Sequence, residues 1–175
     1  MPDPTLSAAL REAYASAPTD TVIHHTLELW HPAFSLPIRV VRDNVDLDAR
    51  IEAGAARDAG AVVTFVAYAF DVIPPDQTSD ALPQCVIEID NVSREILAQI
   101  DVAVTQTAAI TVIYRMYLSD RRTMGPENDP PLEMTLTQIS ATPQRLRAVA
   151  GFPNLLDRPF PNLDYELETF PGLAP

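Results

Sequence analysis

His24, His25, His31 and a single cysteine, Cys85, are the side chains best suited to metal, acid–base or nucleophilic chemistry. A metal needs several donors converging on one point. His24 and His25 are neighbours in an extended stretch and point to opposite faces, so only His24 could share a site with a carboxylate such as Glu28. All three read as surface or interface histidines. Cys85 beside a histidine would be a nucleophile only with a third, orienting group and an electropositive pocket. It begins a strand in an acidic chain, and so reads as a small buried hydrophobe. The carboxylate pairs Asp46 with Asp48 and Glu166 with Glu168 lie on polar stretches, as solvated faces do. Gly-x-Ser-x-Gly, a phosphate loop, Gly-x-Gly-x-x-Gly, His-Glu-x-x-His and Cys-x-x-Cys are all missing from the sequence. The expectation is a chain that is not an enzyme, with no catalytic residue, no metal and no cofactor.

Composition narrows the classes further. A chain of 175 residues, 47% hydrophobic, is the size of one domain. Acidic residues number 24 against 12 basic ones, all of them arginine, for a net charge of -12. That balance repels phosphate and excludes sequence-specific nucleic-acid binding. The missing lysine fits a coding bias toward arginine, a residue that also suits bidentate pairing with carboxylates across interfaces. No apolar run of about 18 residues and no basic, apolar N-terminal signal appears, so the sequence predicts no membrane span and folding in a cytoplasm. Seventeen prolines against five glycines suppress helix interiors and stiffen loops. Long stiff connections point to order imposed by partners.

The elements are organised around residues 85–106, where a strand pattern becomes a helix pattern. Ile87 and Ile89 share one face of a strand and Val86 and Glu88 the other. Asp90 or Asn91 is the expected N-cap, and Ile96, Leu97, Ile100 and Val104 form one face of a helix over 91–104. Flanking strands must cover that face. A short helix is expected within 1–20, with Asp3 as cap, Pro4 in its first turn, and Leu6, Ala9, Leu10, Ala13 and Tyr14 on one side. Strands follow at 22–30 and 37–42 as a hairpin, and residues 54–60 form an exposed hairpin tip. The run 61–73 reads as one strand apolar on both faces, central between layers or at a subunit contact. Further strands fall at 109–118, 132–140 and 145–149, with loops at 74–83 and 119–131, the latter projecting. The domain 21–150 is thus mainly β with one packed helix, an α+β barrel or sandwich. Residues 151–175, rich in proline and phenylalanine, read as an extended arm laid across a surface.

Several segments also carry a resemblance: LELWHPAF with IRVVRD, then VTFVAYAFDV, IEIDNVSREI, IYRMYLSDRR followed by DPPLEMTL, and the terminal GFPNLLDRPFPNLDYELETFPGL. In that order, from about residue 20 onward, they resemble a family of short proteins of unassigned function encoded in phage and prophage tail modules. The order is also similar to the N-terminal domain of the lambda-type minor tail protein L, whose iron–sulfur domain this chain lacks. The resemblance implies a barrel or sandwich of the tail-tube or hub type. It implies a virion structural protein of the tail tip, assembled in the host cytoplasm as a trimeric hub or hexameric distal-tail ring. Tail tube, neighbouring hub proteins and tape measure would be its partners. Arg121, Arg122 and Met124 in the loop, and Phe152, Leu155, Phe160, Tyr165 and Phe170 in the arm, are then the expected subunit contacts. Two other readings stand beside it: a non-virion assembly chaperone or adaptor, and a tail-associated thiol hydrolase using Cys85.

Overall fold

The strand-to-helix junction is where the main core forms. The computed structural model describes residues 5–73, 84–90, 94–142 and 145–152, with the side chains of 73, 94, 95, 104 and 141 excepted. Strand β6 (Gln84–Asp90) buries Cys85, Ile87 and Ile89 and leaves Val86 and Glu88 half-covered, the alternation its sequence dictates. Helix α2 (Arg94–Val104) follows and buries Ile100 and Ala103, with Ile96 and Leu97 packed on the same cluster. Asp90 closes β6; Asn91 and Val92 to Ser93 lie outside the described residues.

Eight other strands complete the sheet, the first seven being β1 (Ile23–Trp30), β2 (Ile38–Val41), β3 (Leu47–Arg50), β4 (Val62–Ala67), β5 (Phe70–Ile73), β7 (Thr111–Leu118) and β8 (Leu132–Ala141). The last, β9 (Arg145–Gly151), pairs β6 with β8. One sheet of nine strands results, in the order β3-β4-β2-β1-β7-β8-β9-β6-β5. Its pairs are antiparallel except β2 with β4, so the fold is mainly β, mixed in direction, with two helices. Leu27, Leu29, Val40, Val112, Met134 and Ala148 line the face that meets α2. Burying a side chain such as Ile100 contributes about 1.5–3 kcal/mol, and the amphipathic stripe of α2 supplies such residues to this face.

The run 61–73, expected as one strand, is divided. β4 pairs with β2 through Val40 and Val41, whereas β5 pairs with β6. Between them Tyr68 and Ala69 leave one ladder for the other, and the backbone stays bonded at the change: Tyr68 N–H donates to Val41 O at 3.0 Å and Asp90 N–H to Ala69 O at 2.9 Å. The hairpin of β3 and β4 crosses the other face of β1, β2 and β7. There Leu47, Ala49, Ile51 and Phe65 pack on Val41 and Tyr117, residues one step out of phase with the main core. Phe65 and Tyr117 rings meet at 5.9 Å, tilted by 55°. β4 is therefore covered on one face by its own chain, while Val62 and Val66 on the other are exposed.

Two loop expectations change. Helix α1 (Ala8–Ser16) is capped by Ser7, whose hydroxyl oxygen accepts from Leu10 N–H at 3.0 Å, rather than from Asp3, which lies outside the described residues. It docks on its own sheet, burying Leu10 and Ala13 against Met116 and Leu118. The segment after β7 does not project as a whole. Its second half returns to the sheet: Asn128, 4% exposed, accepts from Met116 N–H at 2.9 Å and donates to Tyr114 O at 3.1 Å. Ser7 N–H donates to Glu127 O at 2.8 Å, and Asp129 N–H to Thr5 O at 2.9 Å, so this loop staples α1 to β7.

Candidate functional site

β1 is buried on both faces, and its second face is polar. Thr26 and Glu28 are 0% and 1% exposed, although the sequence places them on the strand side away from the main core. A buried carboxylate is costly unless paired. Arg39 on β2 and Arg115 on β7 stand on the same face by register, since Glu28 is opposite Arg39 and Thr26 opposite Arg115. Each guanidinium reaches Glu28 at 3.1 Å.

The 51–61 loop at the end of the β3–β4 hairpin closes over this cluster and adds the remaining charges. Glu52 takes both prongs of Arg115, at 2.7 and 2.8 Å, the bidentate geometry that a guanidinium fork favours. Arg57 turns inward to 3.6 Å from Glu28 and lies 4.1 Å over the Trp30 ring, so the expected exposed tip is anchored by one of its own residues. Asp58 pairs with Arg39. Glu28, Glu52 and Asp58 thus face Arg39, Arg57 and Arg115, a balance of unlike charges. Burial works against the charge on Arg115, but the bonds from Glu52 and the charges of Glu28 and Glu52 leave its pKa raised. Burial likewise pushes Glu52 up; the bonds from Arg115 outweigh it and leave the carboxyl below its usual range. Every charge in the cluster has an unlike partner. That makes it a lock between hairpin and sheet, with no free base or nucleophile.

Two concavities flank this region. A cleft of about 620 Å³ opens at the β4–β5 split, lined by Arg42, Tyr68, Phe70, Asp71, Asp90 and Arg145 among others. Its charges also pair internally, Arg42 with Asp71 at 3.3 Å and Arg145 with Asp90 at 2.7 Å. A second groove of about 420 Å³ runs between the loop residues Ala53 to Arg57 and the segment Asp129 to Pro131, with Ile113 and Glu133 in its lining.

The residues singled out from the sequence are dispersed. His24 lies 3.0 Å from Asp43, not Glu28. His25 meets the Tyr114 hydroxyl at 2.5 Å; burial, then Arg42 and His24, lowers its pKa, and burial pushes Tyr114 up to about 12. His31 is buried and takes the Ala33 N–H at 3.0 Å, bracing the turn after β1. Cys85 is buried and its thiol pKa is pushed up by that burial. Asp46 and Asp48 bind the Ala67 N–H and the Thr64 hydroxyl, at 2.8 and 2.6 Å, and so serve the hairpin. Asp90 accepts from Arg145. Arg121 lies 3.7 Å from buried Glu127, whereas Arg122 and Met124 are exposed and Phe152 is partly buried against the main core. Asn91, Leu155, Phe160, Tyr165, Glu166, Glu168 and Phe170 lie outside the described residues. Among the described residues no group of histidine, cysteine and carboxylates could hold a metal, and no helix is long and apolar enough to cross a membrane.

Sequence reasoning missed the ionic lock, and one signal could have found it. Arg115 stands inside the apolar run of β7, between Tyr114 and Met116, where a charge demands a buried partner. Against known proteins, residues 9–165 match the model of a family described as a domain of unknown function, DUF1833, and the chain belongs to that family. No curated protein matches it.

Proposed function

We propose that this DUF1833 chain is a structural component of a tailed-phage tail tip, a hub or distal-tail protein forming a ring between the tail tube and the baseplate or receptor-binding apparatus. The observation that carries the reading is the ordered set of motifs, which fall on the joints of the fold. LELWHPAF with IRVVRD makes the β1–β2 hairpin, VTFVAYAFDV contains the β4–β5 split, and IYRMYLSDRR with DPPLEMTL joins β7 to β8. In this reading the sheet closes into a barrel of the tail-tube or hub type. The support is that β4 is bonded to β2 and β5 to β6, so one short stretch of chain links strands far apart in the sheet order. Val62 and Val66 supply a contact face outside the barrel; of the arm expected over 151–175, Gly151 instead closes β9 and Phe152 packs on the main core, and the rest lies outside the described residues.

The protein acts by assembly, without catalysis or cofactor, and a net charge of -12 suits a component that must not grip DNA. Its partners are further copies of itself, the tail tube, neighbouring hub proteins and the tape measure; its place is the virion tail tip, after assembly in the host cytoplasm. The thiol-hydrolase reading is disfavoured by a buried thiol that stays protonated. Cryo-electron microscopy of the intact tail tip tests the proposal, with three copies identifying a hub and six a distal-tail ring. Absence of the chain from that density, and from purified virions by mass spectrometry, overturns it in favour of a non-virion chaperone or adaptor.

A further inference from the structure

Arg122 differs from the other described arginine side chains. Arg39, Arg42, Arg57, Arg115, Arg121, Arg145 and Arg147 all pair with carboxylates, and Arg11 and Arg50 donate to backbone carbonyls. The Arg122 side chain is exposed and meets no carboxylate among the described residues. In a chain with twice as many acidic as basic residues, an arginine left over for solvent is the exception.

Its backbone is held firmly. Arg121 N–H donates to Leu118 O at 3.0 Å and Met124 N–H to Arg121 O at 2.8 Å, two successive turns that present Arg122 and Met124 outward. Arg50 braces them from β3, its backbone N–H on Arg122 O at 2.9 Å and its Nε–H on Thr123 O at 2.7 Å. Gly125, at φ 131°, lets the chain turn away from this knob in a conformation other residues rarely adopt. Met124 is 70% exposed, and Val62, opposite Arg50 in the hairpin, extends the same surface with 52% exposure.

The groove of about 420 Å³ has the reciprocal character. Small residues from Ala53 to Ala56, with Ile113, Pro130 and Pro131, give it an apolar lining. Glu52 and Arg57 are spent on the internal lock. Asp129 and Glu133 are exposed carboxylates in its lining, with no ion pair among the described residues. Unpaired charge in the groove is therefore negative, and unpaired charge on the knob positive.

We infer that the knob of one copy seats in the groove of a second copy of this chain, Arg122 toward Asp129 and Glu133, Met124 toward the apolar lining. This rests on the ring reading above and gives it an interface. Knob and groove are different surfaces, so the contact is heterologous and propagates from copy to copy, as a ring requires. It also offers an attraction between chains whose overall charge repels. A stable contact needs about 800 Å² per partner, more than one turn supplies, so Val62 and Val66 extend it.

Disulfide trapping of the full chain tests this, because Cys85 is buried and silent. The doubly substituted protein Met124→Cys/Ala56→Cys should form a ladder of linked multimers on mild oxidation, while each single variant stays unlinked. A dimer from Met124→Cys alone, or no ladder from the double variant, overturns the inference. Sedimentation separates this outcome from the ring reading. A wild-type oligomer without a ladder removes only this interface, whereas a wild-type monomer at every concentration removes both. Arg122→Glu should weaken association by about tenfold or more, and adding Glu133→Arg should restore it.

Discussion

Replacing Glu28 by glutamine keeps the side chain's shape and removes one charge from the centre of the ionic lock. Glu28 is 1% exposed and meets Arg115 and Arg39 at 3.1 Å and Arg57 at 3.6 Å. In its absence three guanidinium groups face only Glu52 and Asp58, leaving a net positive charge out of water. Breaking a buried pair from one side costs about 3–5 kcal/mol, a large part of the roughly 5–15 kcal/mol that holds an ordinary domain folded. For a chain of this length each kcal/mol moves the melting temperature by about 2–4 °C, so the expected fall is about 6–20 °C. Urea unfolding followed by circular dichroism gives the free energy, and calorimetry the temperature. Adding Arg39→Gln to Glu28→Gln makes the cluster neutral again and should recover about half the loss, a coupling that neighbours show and distant sites do not. Arg145→Gln is the control, because its partners Asp90 and Glu88 are at the surface. If Glu28→Gln costs no more than that control, or less than about 1 kcal/mol, the lock is not what fastens the hairpin to the sheet.

Asn128→Ala should leave a Met116 N–H and a Tyr114 C=O unpaired in a buried setting, costing about 1–3 kcal/mol and raising hydrogen exchange through α1 before the main core exchanges. Stability should fall in two steps on acidification. His25 has a lowered pKa, so its contribution is complete above the usual 6.5 and is lost as pH falls from there through its folded value. Glu52, also lowered, contributes fully above its usual 4.5 and loses that contribution below it, as pH falls through its own folded value. Urea midpoints between pH 8 and 3 check this; persistence of the upper step in His25→Gln would refute its assignment.

Much of the sheet was legible because its strands keep a period of two. Ile87 and Ile89 on β6, Leu27 and Leu29 on β1, and Met134 and Leu136 on β8 are buried as the alternation requires. Ile100, with Ile96 and Leu97, marked the helix face. Tyr68 and Ala69 gave no sign of a break, because Ala61 to Ile73 contains neither glycine nor proline and the change of ladder is a tertiary choice. Ser7 displaced the cap expected at Asp3 because Glu127, far along the chain, receives the Ser7 hydroxyl and fixes the helix start. The ionic lock was hidden for a related reason. Glu28, Arg39 and Glu52 each sit in a locally ordinary pattern, only Arg115 stands out inside an apolar run, and the fold alone makes the four neighbours. His24, His25 and Cys85 attracted attention by residue type, yet folding puts them in unrelated places.

The staple between Ser7 and Glu127 spans 120 residues, and this sets a timetable for synthesis. At about 5–20 residues per second, a ribosome takes roughly 6–24 s to deliver the second half of that contact after the first. β1 waits almost as long, since its partner β7 begins at Thr111. During that interval the nascent chain has α1 without its floor and Glu28 without Arg115, and the hairpin of β1 with β2 can form only one side of its pairing. Leu10, Leu27 and Val40 are then open to any hydrophobic surface nearby. Closure must follow emergence of the segment through Asn128, so a stall before that point strands an acidic, partly paired sheet. The order of translation thus makes a loop built more than 100 residues later the event that commits helix α1.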